Sequence, residues 1–152
     1  MPSNVYLASV QLTRSQAKRI LEGAVDKARE FDLPPLTLVV LDGGGHLVAA
    51  EREDGCGPLR FPVANGKAFA ALGMGIASGV MGARNQERPA FLASVAAASQ
   101  GQVVPVAGGV PILDDQQRVI GAVGVSGASS EEDQSVAIAG IEAANLAFGL
   151  EP

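Results

Sequence analysis

The 152-residue chain has one cysteine, Cys56, one histidine, His46, no tryptophan, and an aromatic content of only 4%. A single cysteine rules out an internal disulfide, and one Cys with one His cannot assemble a Cys/His zinc site within one chain, so no metal site is expected. Basic residues are scarce as well, with 11 Lys and Arg against 16 Asp and Glu and a net charge of −5. That balance does not suit a phosphate-reading surface, and nucleic acid is not an expected partner. No apolar run approaches the ~20 residues a membrane-spanning helix needs, and no membrane partner is expected. The first sixteen residues lack the basic stretch and apolar core of an export signal, which makes cytoplasmic the expected location. What the chain does have is small and apolar: 47% hydrophobic residues and 19 glycines. This is the composition of one globular domain, expected to span residues 1–152.

Thr13 and Gln16 form a Thr-x-x-Gln capping box, the signature of a helix start. Ala17, Ile20, Leu21, Ala24, Val25, Ala28 and Phe31 then recur at three- and four-residue steps, predicting an amphipathic helix that Pro34 and Pro35 end. Two apolar runs, 36–41 and 47–50, flank Asp42-Gly43-Gly44-Gly45-His46 and read as a hairpin, because such glycines supply the positive φ of tight turns. Residues 51–61 read as a loop. Two helices follow, one from about Pro62 and one from about Pro89. The runs 103–107, 110–113 and 118–126 are strand candidates in a meander. Ser129 or Ser130 caps a last helix, whose first turn holds Glu131, Glu132 and Asp133 at the positive end of the helix dipole. The order helix, two strands, two helices, three strands, helix predicts an α+β fold with an antiparallel sheet and the first and last helices on one face.

Several motifs fail on physical grounds. Gly43-Gly44-Gly45 does not complete a dinucleotide fingerprint, since Val48 occupies the third glycine position and a strand follows instead of a helix N-terminus. There is no Gly-x-Ser-x-Gly and no spaced partner for the histidine, so no hydrolase triad is indicated. The stretch Gly73-Met74-Gly75-Ile76-Ala77-Ser78-Gly79 reads as close packing of small residues, in the manner of a subunit contact. Cys56, between two glycines, has no neighbouring motif that marks it as reactive.

Two places carry chemistry. His46, at a hairpin tip, is either a solvated turn residue or a candidate ligand to haem iron or proton-transfer group. Arg60, Asn65 and Lys67 lie at the start of the second helix. Lys67 is four residues from both Val63 and Ala71, which puts it on a face of small apolar side chains. A lysine there either binds a carboxylate or extends its stem along that face to water.

Four ordered motifs then match a known pattern: Val40-Leu41-Asp42-Gly43-Gly44-Gly45-His46-Leu47-Val48; Gly66-Lys67-Ala68; Val104-Pro105-Val106-Ala107-Gly108-Gly109-Val110-Pro111-Ile112; and Ile120-Gly121-Ala122-Val123-Gly124-Val125-Ser126-Gly127, with Asp133-Gln134 after it. Over nearly its whole length the chain resembles the GlcG/HbpS-like family, often described as haem-binding or haem-degrading and related to the C-terminal domain of PduO-type cobalamin proteins. The resemblance implies a profilin-like five-stranded antiparallel sheet with helices packed on its faces, and assembly into homo-oligomers. Some members bind haem or a corrinoid through histidine or threonine side chains whose positions vary; in this chain His46 is the histidine available as axial ligand. The expectation is a small-molecule-binding protein for a carboxylate or a haem-type tetrapyrrole, with Arg60, Lys67 and Asn65 binding the ligand. The alternative is an enzyme acting on a small hydroxylated or carboxylated metabolite, with Lys67 or His46 transferring a proton and Arg60 orienting the substrate.

Overall fold

The hydrogen-bonded start predicted at Thr13 is present. Thr13 Oγ1 accepts from the Gln16 N–H at 3.0 Å and Gln16 Oε1 accepts from the Thr13 N–H at 2.9 Å, opening α1 (Arg14–Glu30). The structure is a computed structural model and describes residues 4–152. Ala17, Ile20, Leu21, Ala24 and Ala28 form the buried stripe of α1. The helix stops before the prolines reach it: Phe31 caps it and Asp32 turns left-handed, with φ 52°.

The hairpin follows as β1 (Thr37–Asp42) and β2 (Leu47–Arg52), then α2 (Arg60–Met74), α3 (Ser78–Arg84), α4 (Pro89–Ala98), β3 (Gly109–Leu113), β4 (Val119–Ser126), α5 (Ser130–Ala143) and β5 (Ala147–Phe148). The strands form one sheet in the order β2-β1-β4-β3-β5, with every neighbouring pair antiparallel. The α+β architecture therefore holds, and so does the placement of the first and last helices. Along β1, Leu38 and Val40 join the core beneath α1 and α5, while Val39 and Leu41 join the core beneath α2. This is the two-residue alternation of a strand covered on both faces.

Three expectations are corrected. Residues 103–107 form no strand: the Val104 N–H donates to the Gly66 carbonyl at 3.1 Å, and Pro105 has no N–H to offer a ladder. The fifth strand is β5, two residues long, pairing Phe148 with Ile112 and Ala147 with Leu113. Three helices, not two, separate the hairpin from β3, because Gly75, with φ 72°, ends α2 and a separate α3 begins at Ser78. The first of the three also starts at Arg60, two residues before Pro62.

The approach of α2 to the sheet depends on two glycines. Gly109 and Gly124 are opposite one another in the β3–β4 ladder. A Cβ on Gly124 would overlap the Ala64 carbonyl, and one on Gly109 would overlap the Lys67 carbonyl. The backbone of α2 therefore lies directly on the sheet, and this fixes where the side chains of α2 emerge.

Candidate functional site

The candidate residues gather at the two ends of β1. At its C-terminal end, Asp42 Oδ1 accepts the backbone N–H groups of Gly44 and His46, both at 2.9 Å, and so shapes the turn. His46 Nδ1 lies 3.4 Å from the same carboxylate oxygen, and the imidazole side chain is 81% exposed. Desolvation pushes the Asp42 carboxyl up, but the two backbone N–H groups and the imidazole outweigh it, holding the carboxyl below its ordinary value. A cleft of about 530 Å³ opens between this turn and residues 8–14, lined among others by Val10, Gln11, Leu12, Arg14, His46 and Val48. One imidazole nitrogen thus faces a carboxylate, and a guanidinium and apolar walls stand beside it.

At the other end of β1, α2 starts at Arg60 with no side-chain cap on its first turn. Arg60 is exposed, and its Nη1 donates to Ser126 Oγ at 3.2 Å. Ser126 is opposite Thr37 in the β1–β4 ladder, and Thr37 Oγ1 lies 3.2 Å from Cys56 Sγ. Asn65 is half-buried on α2. Lys67 is 3% exposed. Its Nζ donates to the Val125 carbonyl and to Asp133 Oδ2, both at 3.0 Å, while Asp133 Oδ1 accepts the Ala128 N–H at 3.0 Å. Burial pushes the Asp133 carboxyl above its ordinary value, against the opposing pull of the Ala128 N–H and the Lys67 ammonium.

Lys67 is indeed on the small-residue face of α2, among buried Ala64, Ala68 and Ala71. Its charge is met inside the fold, by an aspartate 66 residues away on α5. The structure brings Arg60 and the Lys67 ammonium towards the same end of the sheet, beside Ser126 and Val125, and places His46 at the turn beyond the other end of β1. Sequence reasoning missed three participants. Asp42 was legible as the first residue of an Asp-Gly turn. Asp133 read as an ordinary first-turn acid of a helix, and Arg14 as one of the charges the first helix leaves to solvent; only the tertiary fold gives them neighbours. Among the described residues no three His, Cys, Asp or Glu side chains gather as a metal site, and no helix is long and apolar enough to cross a membrane.

A family model described as haem degrading protein HbpS-like matches residues 12–142. The chain belongs to this HbpS-like family. Protein GlcG of Escherichia coli (strain K12) is 35% identical over 118 residues, which are 77% of this chain and 82% of that protein. Among solved structures, a crystal structure of a PduOC:heme complex superposes with TM-score 0.80 at 26% identity, covering 94% of this chain and 100% of the other. Klebsiella pneumoniae protein ORFY gives TM-score 0.81 at 24% identity, covering 95% of this chain and 98% of the other, a likeness of fold. The five-stranded antiparallel sheet is therefore the architecture this HbpS-like chain shares with its neighbours.

Proposed function

We propose that this HbpS-like chain binds a carboxylate-bearing tetrapyrrole of the haem type in the cleft beside His46. The observation that carries the reading is the Asp42–His46 pair. A carboxylate facing one imidazole nitrogen orients the ring and leaves Nε2 for iron, the arrangement in which ligating histidines are generally held. The cleft, at about 530 Å³, falls in the size range of small-molecule sites, and Val10, Leu12 and Val48 offer apolar wall to a macrocycle. Arg14 offers a guanidinium fork for a propionate. The family description and the PduOC:heme neighbour support the same ligand class. When bound, haem supplies an iron that accepts an electron or a diatomic ligand. The chain's own work is to ligate through His46, to neutralise carboxylate through Arg14 and to keep water from the macrocycle face.

Hemin titration tests this. A Soret band that shifts on binding, is lost in His46→Ala, and needs about tenfold more protein in Arg14→Ala is the expected result. A spectrum in His46→Ala identical to wild type overturns axial ligation. Titration with cobalamin under the same conditions separates a corrinoid ligand from haem.

A second reading attaches to Arg60. The single Arg60–Ser126 contact and the exposure of Arg60 favour a small carboxylate at this corner, taken by the guanidinium. Asn65 flanks it, and Lys67 supports it from below by holding the Val125 carbonyl. Acetate or glycolate at ~100 times its dissociation constant then stabilises the fold by about 2.7 kcal/mol. Arg60→Ala abolishes the gain, and a gain that survives in Arg60→Ala overturns the corner as a site.

A further inference from the structure

The cleft beside His46 has two walls of different make. The turn of residues 42–48 is held by the Asp42 carboxylate and by the pairing of β1 with β2. The facing wall is formed by residues 8–12, which belong to no helix or strand. Residues 6–12 make no hydrogen bond to any described residue. What pins this segment lies at its end: Leu12 is 3% exposed in the core, Thr13 closes the capping box of α1, and the Gln11 side chain lies beside Gly43. Segments with so few hydrogen bonds and buried contacts open at little cost, and the lids of binding sites are drawn from them.

Ahead of that pin the segment is apolar and out in solvent. Val5 is 69% exposed, Tyr6 105%, Leu7 82% and Val10 68%. Scattered apolar side chains on a surface are ordinary, but a run of them with no core beneath marks a contact surface. Residues 4–12 carry no charge, so nothing opposes laying the segment on an apolar ligand. The cleft, for its part, lacks a cover: sites for small molecules bury most of the ligand, yet the His46 side chain is 81% exposed. Reach is no obstacle. Ala8 is a lining residue, and Tyr6 is two residues before it, within ~7 Å along an extended chain.

We propose that residues 5–10 are a strap that closes over a tetrapyrrole held at His46, with the Tyr6 ring laid on the macrocycle face turned away from the imidazole. The two walls of the cleft oppose one another, so a planar ligand ligated from the turn presents its other face to the strap, and an aromatic ring packs well on such a face. Leu7 and Val10 leave water in the same movement. Leu12 and the capping box stay where they are, so α1 does not move with the strap. The inference rests on the tetrapyrrole reading above and adds the residues that enclose the ligand.

Amide hydrogen exchange of the full chain with and without hemin tests it, together with hemin affinities of strap variants. The expected result is fast exchange at residues 6–10 in the free protein, slowed at least tenfold by hemin in wild type and not slowed in His46→Ala. Tyr6→Ala weakens hemin binding at least tenfold, while Tyr6→Phe keeps the wild-type affinity because the ring makes the contact. The melting temperature of the free protein is the same in both variants as in wild type, since Tyr6 stands in solvent there. Residues 6–10 that exchange as fast with hemin as without it, or that are already protected in the free protein, overturn the strap and leave the His46 reading standing. So does Tyr6→Ala at wild-type affinity, or Tyr6→Phe as weak as Tyr6→Ala. Slowing that tracks a hemin-induced rise in sedimenting mass belongs to a neighbouring copy and overturns the strap as well. If wild type and His46→Ala give the same hemin spectrum, the tetrapyrrole reading falls and the strap falls with it.

Discussion

Each end of β1 holds an acid–base pair, and the two pairs have opposite surroundings. Lys67 and Asp133 lie inside, with 4% and 1% of their side chains exposed and every contact drawn from the fold. Asp42 and His46 lie at the surface, with the carboxylate committed to shaping a turn and the imidazole open to a cleft. A buried pair owes its charges to one another and has little left for a ligand. An exposed pair adds little to stability and keeps its chemistry available. Residue type alone does not separate structural ions from functional ones; the difference is whether the fold or the solvent faces the charge.

The largest effect that would break this contrast is expected at the buried pair. Lys67→Met leaves Asp133 in the interior without its cation and should cost about 3–5 kcal/mol in urea unfolding. Lys67→Met combined with Asp133→Leu should recover most of that, since an apolar pair replaces both ions; a double variant as unstable as the single would show that the pair's hydrogen bonds to Val125 and Ala128 matter more than its charges.

A smaller effect separates the pairs by the sign of their pH dependence. Asp133 has a native pKa above the ordinary 3.8, so its stabilising contribution is full below pH 3.8 and is lost as pH rises through the native value. Asp42 has a native pKa below 3.8, so its contribution is present above pH 3.8 and is lost as pH falls through the native value. Relative to wild type, Asp133→Asn should make stability climb more steeply with pH above 3.8, and Asp42→Asn should flatten the loss on the acid side. Melting temperatures between pH 3 and 7 check both, and slopes of the same sign would erase the distinction. The smallest effect concerns His46→Ala, which should move stability by less than about 0.5 kcal/mol while removing the hemin spectrum. A loss of several kcal/mol would make His46 a structural residue.

The legible parts of the fold were those with local causes. The capping box at Thr13, the serine cap of the last helix, which falls on Ser129, the Asp-Gly turn and the branched runs of β1 and β4 each carry their instruction within a few residues. The illegible parts were settled by distant neighbours. Residues 103–107 have the composition of a strand, but Gly66 takes the Val104 N–H and the segment spends itself against α2. β5 is two residues long and exists because Ile112 and Leu113 offer it an edge. The candidate site divides in the same way. The position of Lys67 on a small-residue face followed from helical spacing, whereas its partner did not, because Asp133 in the first turn of α5 already had a sufficient local explanation as an acid at a helix start. The Arg14 wall of the His46 cleft forms only when the N-terminal segment lies along the hairpin.

The glycine pair under α2 limits how such a protein can diversify. With no room for even a methyl group between helix and sheet at Gly109 and Gly124, the contact cannot be retuned by resizing side chains; any enlargement must lift the whole helix and pull Lys67 off its aspartate. Variation in ligand choice is thereby pushed outward, to the hairpin tip, the N-terminal segment and the loop before Arg60, which can change length and chemistry while the central joint stays the same.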